Sequence, residues 1–141
     1  MSRSVDIEFE FERMPTLAKL VRAIEENDIE PRSGGVLWVT SNGDHDWERR
    51  EPSECRAVML EMTRTLARNE PVGLGITWRS VERRGSLLLM PQFKSISFTP
   101  DFDTLTNDAG PGSTGLGWYV DTLSSALVSL NPTSIAARNA P

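Results

Sequence analysis

Hydrophobic and polar residues alternate most strictly near the start of the chain. Val5, Ile7, Phe9 and Phe11 take every second place, with Asp6, Glu8, Glu10 and Glu12 between them. A period of two belongs to a strand with one face in a core and the other in water. Its carboxylates lie on the wet face, roughly 7 Å apart at about 3.4 Å of rise per residue. The same period returns from Val72 to Arg79, where Val72, Leu74, Ile76 and Trp78 alternate with Gly73, Gly75, Thr77 and Arg79. Arg83-Arg84-Gly85 breaks that run. Ser86-Leu87-Leu88-Leu89-Met90 follows, apolar on both faces, as suits an inner strand covered at least partly on each side. After Pro91, Ile96 and Phe98 alternate with Ser95, Ser97 and Thr99. These segments predict a three-strand meander around which the rest of the chain is organised.

Three stretches carry the helical period instead. Leu17, Leu20, Val21 and Ile24 follow Pro15, a residue suited to the first turn of a helix. Glu25, Glu26 and Asp28 oppose the macrodipole at the far end, so this helix should end early or fray. Cys55, Met59, Met62 and Leu66, with Val58 beside them, form the inward stripe of a second helix, for which Ser53 is the expected cap. Leu116, Tyr119, Val120, Leu123, Leu127 and Leu130 mark a third, stopped by Asn131-Pro132.

Between the first two helices, Val36–Thr40 reads as a strand and Asn42-Gly43 as a type I′ hairpin turn. Counting outward from that turn sets Trp38 opposite Trp47. Residues 44–50 are too polar for an inner strand, so this arm should lie at an edge or project from the sheet. Residues 101–117 are rich in Asp, Thr and Gly and read as a long irregular loop. The fold class is α+β: a mixed, mainly antiparallel sheet with about three helices packed mainly on one face. Residues 1–132 form a single domain, and residues 133–141 are expected to be a loose C-terminal tail.

Composition narrows the function classes. A chain of 141 residues with four Trp is one domain with a real core. Asp and Glu outnumber Lys and Arg by 20 to 15, which disfavours nucleic acid or an anionic membrane as the main partner. The single cysteine, Cys55, permits no internal disulfide and reads as a buried small residue on the helix stripe. No apolar stretch approaches a membrane span, and the acidic opening segment does not suit a signal peptide. The expected location is cytoplasmic.

Motifs for chemistry fail on inspection. Residues 110–115 satisfy G-x-G-x-x-G, but a polar loop precedes them and Ile135 stands where a ribose-binding acid belongs. Asp101, Asp103, Asn107 and Asp108 lack the glycine and glutamate that an EF-hand loop needs. His45, the sole histidine, points away from its flanking aspartates on a strand. Trp78 with Arg79, Arg83 and Arg84 offers a small aromatic and basic platform that the net acidity opposes. Neither a catalytic residue, a metal ligand set nor a cofactor is assigned.

What remains is an acidic strand, an acidic loop and a Trp-bearing hairpin. In size, acidity and organisation the chain resembles the immunity proteins of bacterial toxin systems. That resemblance implies a small α+β protein that caps a toxin, here a basic toxin domain. The expected function is a non-enzymatic protein-binding module, with Glu8, Glu10, Trp47, Asp101 and Asp103 as partner-binding residues. The alternative is a small enzyme or ligand-binding domain that uses the 101–117 loop as a lid.

Overall fold

The computed structural model describes residues 4–43, 46–101 and 116–140. They form one eight-stranded sheet with three α-helices. The elements run β1 (Ser4–Glu10), α1 (Leu17–Glu25), β2 (Ile29–Glu30), β3 (Leu37–Thr40), β4 (Glu48–Arg50), α2 (Cys55–Ala67), β5 (Val72–Trp78), β6 (Arg84–Met90), β7 (Ser95–Pro100), α3 (Leu116–Leu127) and β8 (Ser134–Ala140). The strand order is β4-β3-β5-β6-β7-β1-β8, and β2 pairs with the end of β5. Every described pairing is antiparallel. None of the described helices is long and apolar enough to cross a membrane.

The meander β5-β6-β7 is the centre of the sheet. Its register carries one apolar row across the molecule: Ile7, Phe98, Leu87, Leu74 and Val39 stand side by side from β1 to β3. All five are buried, and the helices bury Leu20, Ile24, Val58, Met62, Tyr119 and Leu123 in the same cluster. Each such side chain contributes roughly 1.5–3 kcal/mol by leaving water, so this face holds the fold together. The helices therefore share one face of the sheet, as the apolar stripes predicted. Thr16 caps α1 by accepting from the Lys19 amide, and the helix stops at Glu25, before Asp28 turns the chain at φ +67°. Ser53 does not cap α2. Pro52–Glu54 forms a short 3₁₀ segment instead, and the Glu54 carboxylate accepts from the Glu51 amide at 2.9 Å. The carboxylate reaches back across that tight turn, which a Ser hydroxyl inside it does not.

Two expectations fail for reasons that lie outside their own segments. Ser134–Ala140, expected as part of a loose tail, is β8 and pairs along the whole of β1. Its sequence has no apolar alternation to announce a strand; the open edge of β1 supplies the hydrogen bonds. The hairpin also slips. Trp38 pairs with Arg49, not Trp47, and Val39 pairs with Glu48. Thr40 is held by Gly73 of β5, and the Ser41 carbonyl accepts from the buried Thr65 hydroxyl at 2.5 Å. Residues next to the turn are thus taken by other neighbours, and the connection is longer than two residues. Gly43 adopts φ +84° while Asn42 stays out of the left-handed region, so the type I′ turn does not form. The arm does lie at the sheet edge, as its polarity required.

Candidate functional site

No described helix covers the second face of the sheet, and its composition runs in a gradient. At the β1 end stand Asp6, Glu8 and Glu10. In the middle, β7 and β6 supply the buried Ser95 with Ser97, Thr99, Ser86, Leu88 and Met90. At the β5 end the face narrows to Gly73 and Gly75. These glycines are a floor for the hairpin. A Cβ on Gly73 would stand 2.6 Å from Cη2 of Trp47, and one on Gly75 would stand 3.2 Å from Cβ of Trp38. A glycine pair inside a strand marks such a close approach.

The two indoles lie on that floor as a stack, with centroids 6.2 Å apart and planes 18° from parallel. A slip of two residues preserves the face because the strand period is two, so Trp47 meets Trp38 diagonally. Trp38 remains 39% exposed and Trp47 half-buried. The arm that carries Trp47 is clamped to α2. Arg50 donates to Glu48 and Glu61 at 3.0 Å and to Glu54 at 3.2 Å. These bonds raise the Arg50 pKa, with the Glu48 carboxylate contributing most. The pair is therefore presented on a braced element.

Of the residues expected from the sequence to bind a partner, the fold brings Glu8, Glu10 and Trp47 onto this one face. Glu8, Ser97, Leu88 and Gly73 form a single transverse row. The floor under Trp47 is thus three strand spacings from Glu8, about 14 Å. Among the described residues, neither the Glu8 nor the Glu10 carboxylate has an ion pair or a hydrogen bond. Asp6 accepts from the Thr99 hydroxyl at 2.8 Å. Asp101 sits at the end of β7, where it pairs with Arg84 Nε at 2.8 Å and its amide donates to the Arg84 carbonyl. That pair borders a hollow of about 200 Å³ with Trp38, Ser86 and Thr99. Asp103 lies outside the described residues, as do His45, residues 110–115 and most of the 101–117 loop.

Neither a protein-family model, nor a curated protein, nor a solved structure matches the chain. Function must therefore be read from the surface itself.

Several sequence candidates leave that surface. Trp78 is 3% exposed and packs edge-on to Phe98 and Tyr119 at 5.7 and 5.4 Å. Arg83 lies 4.3 Å over the Trp118 ring, and Arg84 belongs to Asp101, so the basic and aromatic platform is absorbed into the fold. Cys55 is half-buried rather than buried and lines a cavity between helices. Among the described residues no three His, Cys, Asp or Glu side chains converge as a metal site. Sequence reasoning paired Trp38 with Trp47 but missed Gly73 and Gly75 as the floor beneath them. The signal was present: two glycines on the same face of a strand, in a chain with two spare indoles.

Proposed function

We propose that this chain is a protein-binding module that holds its partner on the sheet face that no described helix covers, without turning over a substrate. The observation that supports this reading is the stacked Trp38–Trp47 pair on its glycine floor, in line with Glu8, whose carboxylate has no ion pair among the described residues. Flat aromatic surface anchored on a rigid sheet suits a desolvated contact, and Trp is enriched among the residues that dominate binding energy. Carboxylates at the other end of the face suit a basic partner and raise the rate of encounter. With the resemblance in size and acidity to immunity proteins, the partner class this supports is a basic toxin domain, neutralised by capping.

The test uses proteins encoded beside this chain as candidate partners, with association and dissociation measured separately. Trp47→Ala should raise the off-rate tenfold or more, since truncating such an anchor costs about 2 kcal/mol. Its salt dependence should not change. Glu8→Gln with Glu10→Gln should lower the on-rate and flatten its dependence on salt, because exposed charges act over a Debye length of about 8 Å. Binding that survives all three replacements would place the interface elsewhere. Turnover of a small molecule, left intact by them, would replace the reading with the enzymatic one.

A further inference from the structure

Behind the sheet, on the face opposite the Trp pair, α1 and α2 diverge over β3 and β5 and leave a cavity of about 310 Å³. Its floor is Leu37, Val39 and Leu74, and Val58 and Met62 of α2 form a wall. All five are apolar and almost fully buried, and the partly buried Val21, Cys55 and Met59 complete the apolar lining nearer the opening. The solvent side has a different character. Glu25, Glu30, Arg32 and Arg79 line it together. Arg79 Nη1 donates to the Glu25 carbonyl at 3.2 Å, and its Nε stands 4.0 Å from the Glu30 carboxylate, the outer limit of an ion pair. The Arg32 guanidinium has no ion pair among the described residues, while its carbonyl is fixed by the Thr77 hydroxyl at 2.7 Å. The Glu25 carboxylate is likewise unpaired. Guanidinium donors are left over at the mouth, and so are carboxylate acceptors.

An apolar interior with a few polar groups at its mouth is the usual form of a small-molecule site. We propose that this cavity binds a small zwitterion with an apolar body, of which free large apolar amino acids are the simplest class. The volume is that of roughly ten water molecules at about 30 Å³ each, room for a phenylalanine side chain with its head at the rim. The α-carboxylate takes Arg32 and Arg79, whose planar donors match it in bidentate fashion. The α-ammonium takes Glu25 and Glu30. A carboxylate without an amine would face those two acids, and an amine without a carboxylate would face the two arginines. This site and the open face lie on opposite sides of the sheet, so either can fail without the other.

Cys55 provides the readout. It is the only cysteine in the chain, and it lines the cavity half-buried. The intact protein is titrated with L-phenylalanine, 3-phenylpropionate and phenethylamine by calorimetry, and the rate of Cys55 modification by an aromatic disulfide reagent is followed. Phenylalanine should bind most tightly of the three. It should slow thiol modification about tenfold at a free concentration nine times its Kd, by mass action. Arg32→Gln, a change at the rim, should weaken phenylalanine about tenfold or more, as expected for a hydrogen bond to a charged group, and leave the fold unchanged by circular dichroism. Val21→Trp, which plugs the mouth from α1, should abolish both signals. Tighter binding of either singly charged analogue, or thiol protection that survives Arg32→Gln undiminished, overturns the proposal. So does the absence of heat and protection with all three compounds.

Discussion

Replacing Gly85 by alanine adds one methyl group where a core ring and a backbone carbonyl both stand close. The new Cβ would stand 2.5 Å from Cε1 and Cζ of Phe98 and 2.5 Å from the Thr99 carbonyl oxygen. An ordinary contact needs about 1 Å more. Phe98 cannot yield, because it is fully buried between Trp78 and Tyr119, with ring centroids 5.7 and 5.3 Å away. The carbonyl is backbone in the β6–β7 ladder and moves only with the strand. Overpacking of this kind costs about 3 kcal/mol, the upper end of the usual range. The alanine returns about 0.5 kcal/mol by restricting the unfolded chain. A net loss near 2.5 kcal/mol lowers the melting temperature by about 8 °C, from an unfolding entropy of about 0.3 kcal/mol/K for a chain this long. The control is the same change at Gly73, where the Cβ meets the outer rim of the half-buried Trp47 ring at 2.6 and 2.9 Å. That ring can swing into solvent, so Gly73→Ala should stay within about 1 kcal/mol of the parent, apart from a small adjustment against the Leu87 carbonyl. It should instead remove the exciton signal of the stacked indoles in circular dichroism. Urea melts followed at a backbone wavelength give both stabilities. Equal losses at the two glycines, or a neutral Gly85→Ala, would refute the reasoning that Phe98 is fixed by its core neighbours while the Trp47 ring can yield.

Thr65→Val keeps the shape of a buried residue but removes the hydroxyl that donates to the Ser41 carbonyl, so stability should fall by about 1–2 kcal/mol in urea with an unchanged m-value. Glu54 has its pKa lowered, chiefly by the Glu51 amide and then by Arg50, against an opposing effect of burial. A lowered folded pKa contributes stability that is complete above the ordinary glutamate range and disappears as pH falls through the folded value. Glu54→Gln should therefore flatten the acid limb of a stability–pH curve, and an acid limb identical to the parent's would show that Glu54 does not couple to folding.

The alternation along β1, β5 and β7 and the helical stripes of α1, α2 and α3 were legible without a structure. Each follows from a local rule, in which a segment must put its apolar side into a core whatever that core contains. The acidic face of β1 was legible for the same reason, because Glu8 and Glu10 could point only outward once Ile7 and Phe9 pointed in. Strand neighbours were not. β8 is a strand because β1 offers it an edge, and Ser134–Ala140 carries no periodicity of its own. The hairpin register depended on Gly73 and Thr65, which are remote from the turn that was counted from. Trp78 and Trp47 look alike as letters between polar residues, yet one lies under α3 and the other on an open face. The cavity behind the sheet likewise exists only because two helices diverge over it. Local sequence determines which side of an element is apolar; only the packed chain determines what that side meets.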